Sequence, residues 1–109
     1  MENKNWDIYC IKYDGEVVYV GMTSLGRHRW TCHKTKARNA NQHSRAIHDF
    51  MRMCTSDPNT FPEFEFEVIC TTNDEDTAIE LERYFQCRYD LPAQQKKSIR
   101  PYFEEYTTR

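Results

Sequence analysis

Arg29 and His33 stand four residues apart, so on a helix they project from one face. Upstream, a β-branched run leads to Tyr19, and an equally strand-like run contains Tyr9. Far downstream, Glu82 leans toward the apolar side of an amphipathic segment. Together these side chains suit hydrolysis of a phosphodiester. That reaction needs a nucleophilic water, a group to take its proton, positive charge on the phosphate and help for the leaving oxygen. An arginine fork holds phosphate oxygens and keeps its charge. Phenol titrates near ~10, so using it as a base near pH ~7 costs about 4 kcal/mol without help. Histidine, near ~6.5, is an easier base. A carboxylate leaning toward an apolar face needs a metal, an arginine or both as partner. One Mg²⁺ held by one carboxylate, waters and substrate phosphate is ordinary for that ion. The plainer alternatives are a cross-strand tyrosine pair packing a sheet, a surface histidine, and a salt bridge between Glu82 and Arg29.

The elements that must position these residues are legible in outline. "WDIYCIKY" (6–13) and "EVVYVG" (16–21) read as two strands around Asp14-Gly15, a strong hairpin signal. Thr23 or Ser24 is placed to cap a helix from about 25 to 37. "NQHSRAIHDFMRMC" (41–54) repeats Ile47, Phe50, Met51 and Cys54 at helical spacing. "EFEFEVIC" (63–70) alternates as a third strand, with Phe64, Phe66 and Val68 on one face and glutamates on a wet one. Thr72 and Glu75 form a capping box opening a helix over 72–89. The expected fold is α+β, a small antiparallel three-stranded sheet with flanking helices in the order β-β-α-α-β-α. A single domain is expected over 1–109, with a core of about 6–90 and a C-terminal wrap over 91–109.

The hairpin loop decides whether the tyrosines share a face. A two-residue Asp14-Gly15 loop pairs Tyr13 with Glu16, and uninterrupted pairing then splits Tyr9 and Tyr19 across the sheet. A three-residue loop ending in a bulge at Gly15 sets Tyr9 directly opposite Tyr19. The shared site favours the three-residue loop. Gly21 is then where the chain leaves the strand to reach the helix.

Charge is unevenly distributed. The chain of 109 residues carries a net −2, but residues 27–52 sum to +6 and contain all four histidines. A local basic patch suffices to hold a phosphate backbone. Five scattered cysteines with no CxxC pair indicate a reducing, intracellular setting rather than disulfides or zinc. No apolar run is long enough for a membrane span.

"IYC" at 8–10 and "YVG" at 19–21, one hairpin apart, resemble the two signatures of the GIY-YIG nuclease superfamily. Asp7 stands where glycine is usual. "GRHRWTCH", "QHSRAIHDF" and "AIELERYFQCRYD" continue the resemblance, which covers roughly residues 7–90 and is nearest to the catalytic domains of phage intron-encoded homing endonucleases. It implies a metal-dependent DNA endonuclease using Mg²⁺ or Mn²⁺, with Tyr9, Tyr19, Arg29, His33 and Glu82 in the site and Glu82 on the metal. Tyr19 takes the base or relay role with His33 as partner or alternative. Arg29 and Tyr9 support the phosphate. Arg27, Lys34, Lys36, Arg38, His43 and Arg45 are expected to contact DNA, largely at its backbone, which positions the duplex without reading sequence. His28 and His48 have no such support. The bracing asparagine of the family is missing from "DLPAQQKK", where Gln94 or Gln95 is the substitute. With one small site and no reading module, specificity is expected from loops, a homodimer or a separate partner. The alternative is a non-cleaving nucleic-acid or protein binding module on the same fold.

Overall fold

The computed structural model describes residues 4–39 and 46–89. His43, Arg45, Gln94, Gln95 and the wrap expected over 91–109 lie outside them. The elements are β1 (Trp6–Tyr13), β2 (Glu16–Thr23), α1 (His28–Arg38), α2 (Ala46–Cys54), β3 (Phe64–Thr72) and α3 (Glu75–Arg88). This is the expected β-β-α-α-β-α order. The strands form one antiparallel sheet, β2-β1-β3, so the strand carrying Tyr9 is central and has partners on both sides.

The sheet is covered on both faces. Over one face α1 and α2 close a core of Tyr9, Ile11, Val18, Tyr19, Trp30, Ala37, Ile47, Phe50, Met51 and Phe61 with Phe64 and Phe66. Over the other, α3 packs Ala78, Leu81 and Phe85 against Ile8, Cys10 and Val20. The second face is therefore not the wet face that alternation in β3 suggests. Glu65 and Glu67, on an outer strand, stay exposed. Val68 also departs from the expectation and is exposed, although it pairs directly with Tyr9; a bulge in β3 follows it, before Cys70.

The hairpin corrects the expected loop. Tyr13 pairs with Glu16, leaving a two-residue turn in which Asp14 and Gly15 have φ of 52° and 87°. Two positive φ values give a turn whose twist matches that of the strands it joins. The tyrosines are nevertheless not split. A bulge in β2 follows the Lys12–Val17 pair, so Ile11 pairs with Tyr19 and Tyr9 with Gly21. The bulge turns both Val18 and Tyr19 into the same core, burying two large side chains that strict alternation would separate. Tyr9 and Tyr19 are thus diagonal neighbours on one face rather than a directly opposed pair.

The helix starts also differ from expectation. β2 continues past Gly21 to Thr23, and the positive-φ residue before α1 is Gly26, at 62°. Thr23 Oγ1 accepts from the Leu25 amide in a local turn, and α1 begins after Arg27 with no side-chain cap. For α3 the cap is Asp74, which accepts from the Thr77 amide. Thr72 instead accepts from the Asp74 amide, two residues too early to cap the helix itself.

Candidate active site

The site is built on the central strand. Tyr9 is buried, with its ring stacked on Phe66 at a centroid distance of 4.7 Å and tilted against Tyr19 at 6.1 Å. Directly opposite on β2 is Gly21, and there the missing side chain matters. A Cβ at Gly21 would sit 2.7 Å from the Tyr9 hydroxyl oxygen and 3.0 Å from the Tyr19 ring. Only glycine leaves both phenol rings room on this face.

From α1, Trp30, His33 and Ala37 form the buried stripe. Trp30 stacks on Phe66, and this seats His33 over the tyrosines. His33 Nε2 is 2.8 Å from the Tyr9 hydroxyl, and its ring packs edge-on against Tyr19. His33 Nδ1 is 2.9 Å from His48 Nε2 on α2. Both histidines are completely buried. Tyr9, His33 and His48 therefore form a continuous chain of hydrogen bonds through the core.

Arg29, one turn before His33, is half-buried and its guanidinium acts on the Tyr9 phenol. Burial pushes the Tyr9 phenol far above its ordinary value, and the neighbouring Tyr19 adds to this, while Arg29 pulls the other way. Burial also opposes the charge of Arg29, but contact with Tyr9 outweighs it, so the guanidinium is held above its usual value. The site thus joins a phenol that resists full ionisation to a permanent positive charge.

Glu82 arrives from the other side of the sheet. It lies on α3 one turn after buried Ala78 and one turn before buried Gln86, and is itself half-buried. Gln86 donates to the Val20 carbonyl, the residue after Tyr19, which fixes this stripe of α3 along the edge strand β2. Among the described residues no three His, Cys, Asp or Glu side chains gather as a metal set. His33 uses both ring nitrogens in the hydrogen-bonded chain. Glu82, on the stripe of α3 that Gln86 holds beside β2, offers a carboxylate oxygen, which fits a hard cation that keeps much of its water and not a thiolate- or imidazole-bound one.

The basic residues divide by what they touch. Arg27 lies over the Phe66 ring at 5.5 Å, and Lys34 over Trp30 at 5.3 Å. Arg38 donates to the carbonyls of Pro58 and Asn59, holding the loop that follows α2. Each remains a positive charge, but Arg38 also has a structural task that spacing does not reveal.

Sequence alone sets His48 aside and does not single out Gln86. His48 stands three residues before Met51 and shares its stripe, a position that marks it for burial. Gln86 falls one turn after Glu82 in the same way. Neither position reveals its partner, which lies on another element.

The family model described as the GIY-YIG catalytic domain matches residues 5–96. No curated protein and no solved structure matches the chain. Among the described residues no helix is long and apolar enough to cross a membrane.

Proposed function

The chain belongs to the GIY-YIG catalytic domain family, a family of nucleases, and on that premise we propose that it is a metal-dependent DNA endonuclease in which Tyr9 and His33 move the proton of the attacking water. The observation that carries this reading is the 2.8 Å hydrogen bond between the Tyr9 hydroxyl and His33 Nε2, beside Arg29. It moves the relay from Tyr19, the residue the strand end suggested, to Tyr9.

The high resting pKa of Tyr9 shapes the step. A free buried phenolate is costly. In a concerted transfer the hydroxyl oxygen takes a proton from water as its own passes to His33 Nε2, and no free phenolate forms. The water oxygen bonds to phosphorus, the bond to the leaving oxygen breaks, and that oxygen departs with the pair and takes up a proton from solvent. Arg29 meets the charge that grows on the phosphate oxygens. Tyr19 packs against His33 and helps hold its ring in place. Glu82 would hold a Mg²⁺ or Mn²⁺ ion, which when bound supplies Lewis-acid stabilisation of the phosphate and leaving oxygens.

Lys34, Lys36, Arg27 and Arg38 on or beside α1, with Arg45, give the duplex a basic surface, and His43 adds a further contact. One site per chain nicks one strand per encounter, so a double-strand break needs a homodimer or a partner. Within the family the order Tyr9, Tyr19, Arg29, His33, Glu82 resembles that of phage intron-encoded homing endonucleases. Five free cysteines suit a reducing, intracellular compartment.

The test is incubation with supercoiled plasmid, with Mg²⁺ and with EDTA, beside Glu82→Ala. Nicking that needs the metal and vanishes in a folded variant that still binds DNA supports the reading. Metal-independent nicking, or a variant as active as the parent, refutes the metal role. DNA bound but never cut by the parent protein favours a binding module.

A further inference from the structure

The buried chain does not end at His33, and its far end controls how the near end works. We propose that His48 is a positioning residue that sets the tautomer of His33, so that Nε2 presents a lone pair to the Tyr9 hydroxyl. This rests on the reading of Tyr9 and His33 as the proton relay.

A neutral imidazole carries one N–H, so the two bonds of His33 must run in the same sense. In one sense His33 Nδ1–H donates to His48 Nε2, and His33 Nε2 accepts from Tyr9. In the other, His48 Nε2–H donates to His33 Nδ1, and His33 Nε2–H donates to Tyr9. Only the first can receive the Tyr9 proton. The geometry allows either, at 2.8 Å and 2.9 Å, so the tautomer of His48 selects between them. A proton on His48 Nδ1 leaves its Nε2 as the acceptor the relay requires.

His48 also acts when the proton arrives. Transfer breaks the Tyr9 O–H bond, forms a bond to His33 Nε2 and makes His33 an imidazolium. Both rings are fully buried, where an isolated charge is strongly disfavoured. A charge-assisted hydrogen bond from Nδ1–H to His48 lowers that penalty at the moment it appears. His48 touches neither substrate nor water in this account and works entirely through His33.

The elements holding the pair suit a fixed geometry. His33 is on α1 and His48 on α2, and Arg52, one turn past His48, donates to the Ala37 carbonyl near the end of α1. Arg52 also pairs with Asp49. The two helices are thereby tied where their histidines meet.

The test compares His48→Leu with His48→Gln in the full chain. Leucine fills similar space and offers no acceptor, whereas the glutamine carbonyl can accept from His33 Nδ1–H. With supercoiled plasmid and Mg²⁺, His48→Leu should lose roughly 10²-fold in turnover, the lower end of what positioned proton transfer contributes. DNA affinity should stay within threefold, and His48→Gln should recover at least tenfold over His48→Leu. Nitrogen-15 shifts of the His33 ring should report an Nδ1–H form in the parent protein and in His48→Gln, and a different proton position in a folded His48→Leu. Unchanged His33 shifts in folded His48→Leu overturn the proposal, as does turnover equal to the parent's. If the parent protein cleaves nothing, the endonuclease reading fails, and the ring shifts still decide whether His48 governs His33.

Discussion

Gly21 lies directly opposite Tyr9, and a Cβ at Gly21 would meet the Tyr9 hydroxyl oxygen at 2.7 Å. The absent side chain thus makes the space in which Tyr9 reaches His33. Gly21→Ala should push the Tyr9 ring off its hydrogen bond. Overpacking of this kind costs about 1–3 kcal/mol, so thermal melting should fall while the fold persists. Turnover should fall further than the loss of stability explains. An alanine variant with parental cleavage and melting would show that the ring moves aside at no cost.

Tyr9→Phe and Tyr19→Phe separate the two phenols. The first removes the hydroxyl that contacts His33 Nε2, and single-turnover cleavage should fall roughly 10²-fold or more. The second leaves that bond in place and should cost less. The reverse order would return the relay to Tyr19.

Arg29→Ala should lower kcat far more than it weakens DNA binding. The guanidinium acts on charge that grows in the transition state, and losing one such donor costs about 10²–10³-fold. Comparing the cleavage rate of bound DNA with binding titrations would check this. Equal losses in both would make Arg29 a simple binding residue.

Glu63 gives acid-dependent stability remote from the site. Its carboxylate accepts from the Ser56 hydroxyl, the Thr55 hydroxyl and the Ser56 amide, which lower its pKa from 4.5 to about 2. A depressed folded-state pKa stabilises the protein above the unfolded value and loses that contribution as pH falls through the folded one. Melting temperature should therefore fall as pH drops from about 4.5 toward about 2. Glu63→Gln should melt lower at neutral pH and show a flatter decline across that window. Parallel curves would mean these bonds do not distinguish the folded chain.

Lys34 and Arg38 carry the same charge but should fail differently. Lys34→Ala should weaken binding to all sequences and shallow the salt dependence by about one charge. Arg38→Ala should do this and also lower the melting temperature, because Arg38 holds the Pro58 and Asn59 carbonyls. Identical melting of the two variants would remove the structural role of Arg38.

The sequence by itself determined the element order and class. Period-two runs, helical spacing at Ile47, Phe50 and Met51, and Asp14-Gly15 are local signals, and each acts within a few residues of itself. It also put Arg29 and His33 on one helical turn, since four residues fix that relation on any helix. Tertiary structure decided the rest. A two-residue turn alone would split the tyrosines, and the bulge beyond Val17 reunites them because burying Val18 and Tyr19 together needs an extra residue in β2. Whether Gly21 turns the chain or clears a space depends on the ring across the strand pair. The pairing of Tyr9 with His33, and of His33 with His48, spans 24 and 15 residues of sequence. Such contacts follow from how α1 and α2 close over one sheet face, which no local spacing encodes.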